Sequence, residues 1–233
     1  MISAYRILIT LALVPGILLA IKIYTLDKIE KEPVGLVIKL LVLGAISVIP
    51  ALVIEMVLDV VISAVFDPET LMYMVVDNFI GIACVEEAVK YFTTKKCTWK
   101  SKEFDFTFDG IVYATAASIG FALAENVSYA ISYGLATTII RAVTAIPAHA
   151  IFGLFMGHYY GIARGCANRG DLRGKKKNIH KAYIIPVILH GVYDFFADGD
   201  SGLAAILFFV FVVVLDIVAY RRIMKDSRED KAI

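Results

Sequence analysis

Four stretches of this chain place acids, imidazoles or a guanidinium inside otherwise apolar runs. Cys84-Val85-Glu86-Glu87-Ala88-Val89-Lys90 holds two carboxylates and an ammonium, and Phe121-Ala122-Leu123-Ala124-Glu125-Asn126 adds a third carboxylate. His190-Gly191-Val192-Tyr193-Asp194 supplies an imidazole and a further acid, while Arg141 and His149 share the run between. A charge at bilayer depth costs at least about 2.5–3.5 kcal/mol, so such groups persist where they pair or do chemistry. Helical spacing puts Glu86 and Lys90 on one face, with Glu87 turned by about 100°. Phe121, Glu125 and Tyr129 form a second stripe, and His190 and Asp194 a third. His149 stands among Ala145, Gly153, Gly157 and Gly161, a small-residue stripe that lets a neighbouring helix approach closely. Each polar group is therefore expected to face the interior of a helix bundle.

A carboxylate in a low-dielectric site can act as general base towards a water. An imidazole can hold that water or stabilise a developing oxyanion, and an acid four residues on, as Asp194 is from His190, can fix the ring. The same groups also suit a divalent metal such as Zn2+, with Glu86, His149 and His190 as its candidate ligands. The chain carries no H-E-x-x-H or G-x-S-x-G motif, and no serine or cysteine with an evident base. Each residue has a structural reading too. Glu87 and Lys90 could be an ion pair, Asn126 a bridge between helices, Arg141 an interfacial anchor, and either histidine a packing residue. Three classes stay open on residues alone: a hydrolase, an ion- or proton-coupled transporter, and a non-catalytic binder of a partner's transmembrane helix. A transporter would favour paired half-repeats, and the sequence has none.

These groups must be positioned by membrane helices. Hydrophobic residues make up 59% of the chain and the mean hydropathy is +0.76, above the roughly 45–50% apolar content of soluble domains. Spans need about 20 apolar residues, which predicts seven: 3–23, 35–65, 71–93, 108–130, 136–163, 181–198 and 202–221. The second is long enough to kink, being interrupted by Pro50, Glu55 and Asp59. The first is expected to be a retained span, not a signal peptide. The connections alternate between basic ones, holding Lys28 and Lys31, Lys95 to Lys102, and Arg164 to Lys181, and ones without Lys or Arg. That alternation predicts an outside N-terminus and a cytoplasmic C-terminus. Confinement of the basic residues to short connections argues against nucleic-acid binding. Three cysteines without a C-x-x-C pair give no disulfide framework. The whole chain, 1–233, reads as one all-α polytopic domain of the cell membrane. By helical rise Glu125 falls near the outer end of its span while Glu86, His149 and His190 lie deeper, so either that span starts later, near Asp109-Gly110, or Glu125 stands outside the innermost shell.

The ordered set Glu86-Glu87-x-x-Lys90, Phe121-x-x-x-Glu125-Asn126, Arg141 through His149 and His190-x-x-x-Asp194 resembles the PrsW family of intramembrane proteases. That family is similar to the CAAX-prenyl endopeptidase and bacteriocin-immunity superfamily. The resemblance implies site-1 cleavage of a membrane-bound anti-sigma factor, a single-pass partner in the lipid. It implies Glu86 as the water-activating base, Glu87 as its partner, His190 as oxyanion stabiliser, and His149 as a further imidazole. Lys90, Glu125, Asn126, Arg141 and Asp194 would support them. Glu125 and Asp194 stand where the wider superfamily often has His and Asn. A glutamic mechanism needs no cofactor; a metal-dependent one needs a divalent ion.

Overall fold

The computed structural model describes residues 2–233. Helices succeed one another along the chain: α1 (Ile2–Leu26), α2 (Val34–Ile46), α3 (Val48–Val65), α4 (Leu71–Val76), α5 (Cys84–Thr98), α6 (Asp109–Val143), α7 (Ala145–Asn168), α8 (Leu172–Ala197) and α9 (Gly202–Asp226). The all-α, multi-pass class read from composition is the class adopted. Arg6–Leu26, Val34–Val65, Asp109–Asn168 and Gly202–Asp226 are long and apolar enough to cross a membrane. The α4–α5 run and α8 are less apolar because they carry basic residues, Lys95 and Lys96 on α5 and Arg173 to Lys181 on α8, besides the acids and imidazoles. Outward faces hold Val57 and Val60 on α3 and Phe209 and Val210 on α9, all exposed. Contiguous apolar surface of this kind is rare on water-soluble proteins, whereas lipid covers it without cost.

Several boundaries differ from those expected, for identifiable reasons. The span placed at 35–65 is two helices meeting at Ser47, and the one placed at 136–163 is interrupted at Thr144. Each break lies three residues before a proline, Pro50 or Pro147, whose missing N–H leaves one helical carbonyl without its partner. A hydroxyl takes part at both: Ser47 Oγ donates to the Gly44 carbonyl (2.7 Å) and Thr144 Oγ1 to that of Ile140 (2.8 Å). Pro186 and Pro15, in contrast, lie inside unbroken helices. Residues expected in the basic connection before 181 are helical, since α8 starts at Leu172 with Asp171 accepting from Gly174 N (2.8 Å). The run from α4 into α5 is continuous through a π-helical segment, Asp77–Ala83. Such segments are often found at functional sites.

Within α6 the chain reverses at Gly134, whose φ of 80° and ψ of −161° suit glycine alone. The first arm of α6 and α7 run antiparallel and so close together that a Cβ at Gly157 would strike the Gly110 carbonyl. The small-residue stripe thus faces α6, and it turns His149 inward beside Phe121 and Phe152. The basic connections collect at one end of the bundle. There Ser227 Oγ donates to the Leu26 carbonyl (2.5 Å), Ile233 N to that of Asp105 (2.7 Å), and Arg164 Nη1 to that of Trp99 (2.9 Å).

Candidate active site

Lys90 is the centre of the site. It is fully buried on α5, and its Nζ lies 2.9 Å from Glu86 Oε2, 2.8 Å from Glu87 Oε1 and 2.9 Å from His149 Nδ1. An ammonium has three donors and no acceptor, so all three N–H groups are accounted for. His149 Nδ1 must then accept, which leaves its Nε2–H to donate to Glu125 Oε2 (3.0 Å). Arg141 Nη2 holds the same Glu125 oxygen at 2.8 Å, with its guanidinium 3.7 Å from the centroid of the Tyr129 ring. Each nitrogen of His190 faces a carboxylate. Nδ1 is 3.0 Å from Glu87 Oε1, and Nε2 is 3.1 Å from Asp194 Oδ2 and 3.8 Å from Glu86 Oε2. Phe152 stacks on the His190 ring at 4.8 Å, and the Lys90 ammonium stands 4.3 Å from the centroid of Phe121. Buried charge is tolerated when paired and hydrogen-bonded. Here four carboxylates meet two permanent cations and two imidazoles.

The structure brings together eight of the nine residues singled out in the sequence. Asn126 is the exception: its Nδ2 donates to the Ala12 carbonyl (3.1 Å) and ties α6 to α1. Arg141 is turned inward to Glu125 and is no snorkelling anchor. Glu125 belongs to the cluster, which excludes the alternative that it stands outside it. The outward arm of α6 continues to Tyr133 before the reversal at Gly134, so Glu125 sits more than two turns short of the bend.

A cavity of about 500 Å³ reaches this cluster. Glu86, Glu125, Arg141, His149, His190 and Asp194 line it, whereas Glu87 is fully enclosed behind them. It extends to exposed Ala197 and Asp198 at the α8–α9 connection, which gives water a route inward. Glu55 also lines it, with a buried Oε1 that has no hydrogen-bond partner. The sequence marked Glu55 only as an interruption of the second span. The signal that would have promoted it was its acid at bilayer depth. Asn78, in the π-helical segment, lines the cavity too and carried no such signal.

One oxygen or nitrogen from each of Glu86, Glu87, His149 and His190 lies within 4.8 Å of the others, the spacing of a metal-ligand set. A divalent ion at that centre would need the place of Lys90 Nζ, which already contacts three of the four. His149 has no lone pair to offer, because Nδ1 accepts from Lys90 and Nε2 donates to Glu125. Metal ligation requires such a lone pair. The residues present do not fit a resident divalent ion there; the Lys90 ammonium carries the positive charge in its stead.

Comparison with known proteins places this geometry. A family model described as PrsW family intramembrane metalloprotease matches residues 32–219. A protein named Protease PrsW from Oceanobacillus iheyensis is 36% identical over 226 residues, covering 97% of this chain and 98% of its own. Proteins of the same name from Geobacillus kaustophilus and Bacillus subtilis are 33% and 32% identical, covering 80% and 83% of this chain and 78% and 84% of theirs. No solved structure matches significantly. An enclosed acid–imidazole cluster at the end of a water route, in a multi-pass helical protein with these relatives, leads to one conclusion: the chain belongs to the PrsW family of intramembrane proteases.

Proposed function

We propose that this chain hydrolyses a peptide bond of a single-pass membrane protein with a water activated by Glu86, without a resident metal. Its setting would be the first cleavage of an anti-sigma factor in regulated proteolysis, in a bundle that crosses the membrane seven times. One observation carries the assignment of the base: of the two adjacent glutamates, Glu86 lines the cavity and Glu87 does not. Lys90 holds one Glu86 oxygen, and the other is left to take the proton of a water entering from the α8–α9 end. That water adds to the scissile carbonyl carbon, and the carbonyl π-bond becomes an oxyanion. His190, held through Nδ1 by Glu87, lies next to Glu86, and its Nε2–H, which makes no hydrogen bond to Asp194, donates to that oxygen. As the C–N bond breaks, the protonated Glu86 passes its proton to the leaving nitrogen and returns to the carboxylate. Glu125, Arg141 and His149 hold the far wall. A substrate helix must unwind locally for its carbonyl to enter.

Co-expression with tagged single-pass anti-sigma factors tests this reading. A fragment should appear with the native chain and fall by roughly 10²-fold or more with Glu86→Gln or His190→Ala at equal membrane levels. Equal fragments from all three would remove both residues from the chemistry. Binding of substrate without any fragment would favour the non-catalytic class.

A further inference from the structure

A second cluster lies at the basic end of the bundle, away from the cavity. Asp27 and Glu32, in the α1–α2 connection, meet Asp109 at the start of α6. The three are at most 4% exposed, and one carboxylate oxygen from each lies within 4.8 Å of the others. Asp109 stands 16 residues before Glu125 on the same helix arm, roughly 24 Å along it, so the two clusters are separate.

The partners of this cluster are incomplete. Asp109 Oδ2 accepts from the amides of Asp105 (3.0 Å) and Phe106 (2.7 Å), and Glu32 Oε2 accepts from Tyr113 Oη (2.5 Å). Both carboxylate oxygens of Asp27 are buried without a hydrogen-bond partner. Lys31, four residues on, donates instead to the backbone carbonyls of Tyr24 and Asp27. Among the described residues, no Lys or Arg nitrogen forms an ion pair with Asp27, Glu32 or Asp109. Buried carboxylates without a counter-charge cost several kcal/mol each, a cost relieved by a proton at low pH or by a cation from solution above it.

We propose that Asp27, Glu32 and Asp109 form a binding site for a hard divalent cation of the Mg2+, Mn2+ or Ca2+ class. The donors are all oxygen, with neither nitrogen nor sulfur, which disfavours Zn2+ and favours these ions. Their separation matches ligand oxygens placed around one ion at about 2.0–2.6 Å. The cation would fasten the α1–α2 connection to the start of α6 and neutralise the orphaned Asp27. This site is independent of the mechanism assigned to Glu86.

The test is Mn2+ binding to the purified full chain in detergent after chelator treatment, with free Mn2+ counted by electron paramagnetic resonance. A single site per chain is expected, displaced by Mg2+ or Ca2+. Asp27→Asn and Glu32→Gln should each weaken it roughly tenfold or more, and Glu86→Gln should leave it unchanged. Since an acidic variant could fail to fold, the native chain and Glu86→Gln should also melt at higher temperature with Mn2+. No Mn2+ bound at millimolar concentration, or undiminished binding in folded Asp27→Asn and Glu32→Gln, would overturn the proposal. Loss of the site in Glu86→Gln alone would move the ion to the other cluster and overturn it equally.

Discussion

Lys90 commits its three donors to Glu86, Glu87 and His149, so its removal takes a partner from three buried polar groups at once. Replacing it with the uncharged Lys90→Met is expected to cost about 3–5 kcal/mol of stability, read as a lower melting temperature in detergent, together with loss of cleavage. A zinc-selective chelator, by contrast, should leave cleavage by the native chain unchanged, because the ammonium stands where that ion would sit. Loss of activity with the chelator and recovery on adding zinc would refute the metal-free reading. Glu125 acts through others. Glu125→Gln keeps the shape but weakens the hold on Arg141 and His149, so cleavage should fall while Glu86 stays in place. Arg141 has no second carboxylate in contact, and a double variant, Glu125→Gln with Arg141→Gln, should be less damaged than the sum of the two singles.

Among the elements, the α6–α7 hairpin decides whether the site assembles at all. It places Glu125 and His149 within one hydrogen bond although 24 residues separate them. The approach leaves no space at Gly157, so Gly157→Ala is expected to cost about 1–3 kcal/mol by forcing the arms apart, measurable by thermal unfolding. The α1–α2 connection offers a pH test. Burial raises Asp27 to about 6 and Glu32 to about 7, above their ordinary values of 3.8 and 4.5. Lys31 opposes the shift at Asp27, and Tyr113 and Asp109 oppose it at Glu32, while Asp230, Glu30 and Asp105 are the facing acids that reinforce it. A carboxyl raised in the folded state favours its protonated form there. Its contribution is present below the unfolded value and lost as pH rises through the folded one. The cation-free chain should therefore melt lower at about pH 8 than at about pH 5, and Mn2+ should restore stability mainly at the higher pH, where protons do not compete.

At the scale of the whole molecule, the basic connections converge at one end and the cavity opens towards the other. The seven-crossing topology proposed above predicts which positions an impermeant maleimide reaches in intact cells. Cysteines introduced at Asp67, Ser132 and Asp200 should react directly, and one at Lys100 only after permeabilisation. Reversed labelling would invert the orientation, and would also place the water route of the cavity on the cytoplasmic face.

Composition, charge alternation and intramembrane acids were enough to specify an all-α membrane protein and to single out Glu86, Lys90, His149 and His190. Those signals are local: an apolar run needs lipid wherever it lies, and an acid within it needs a partner. The partner itself is not local. That Lys90 bonds His149, that Glu125 is reached through a bend at Gly134, and that Glu86 rather than Glu87 meets the cavity depend on helix packing and on where Pro50 and Pro147 interrupt it. Helical rise measured along separate straight spans left the place of Glu125 open for that reason. Asp27, Glu32 and Asp109 were likewise unremarkable as sequence, each an ordinary acid near a helix end. Only the folding of one connection against the start of α6 made them neighbours and left Asp27 without a partner.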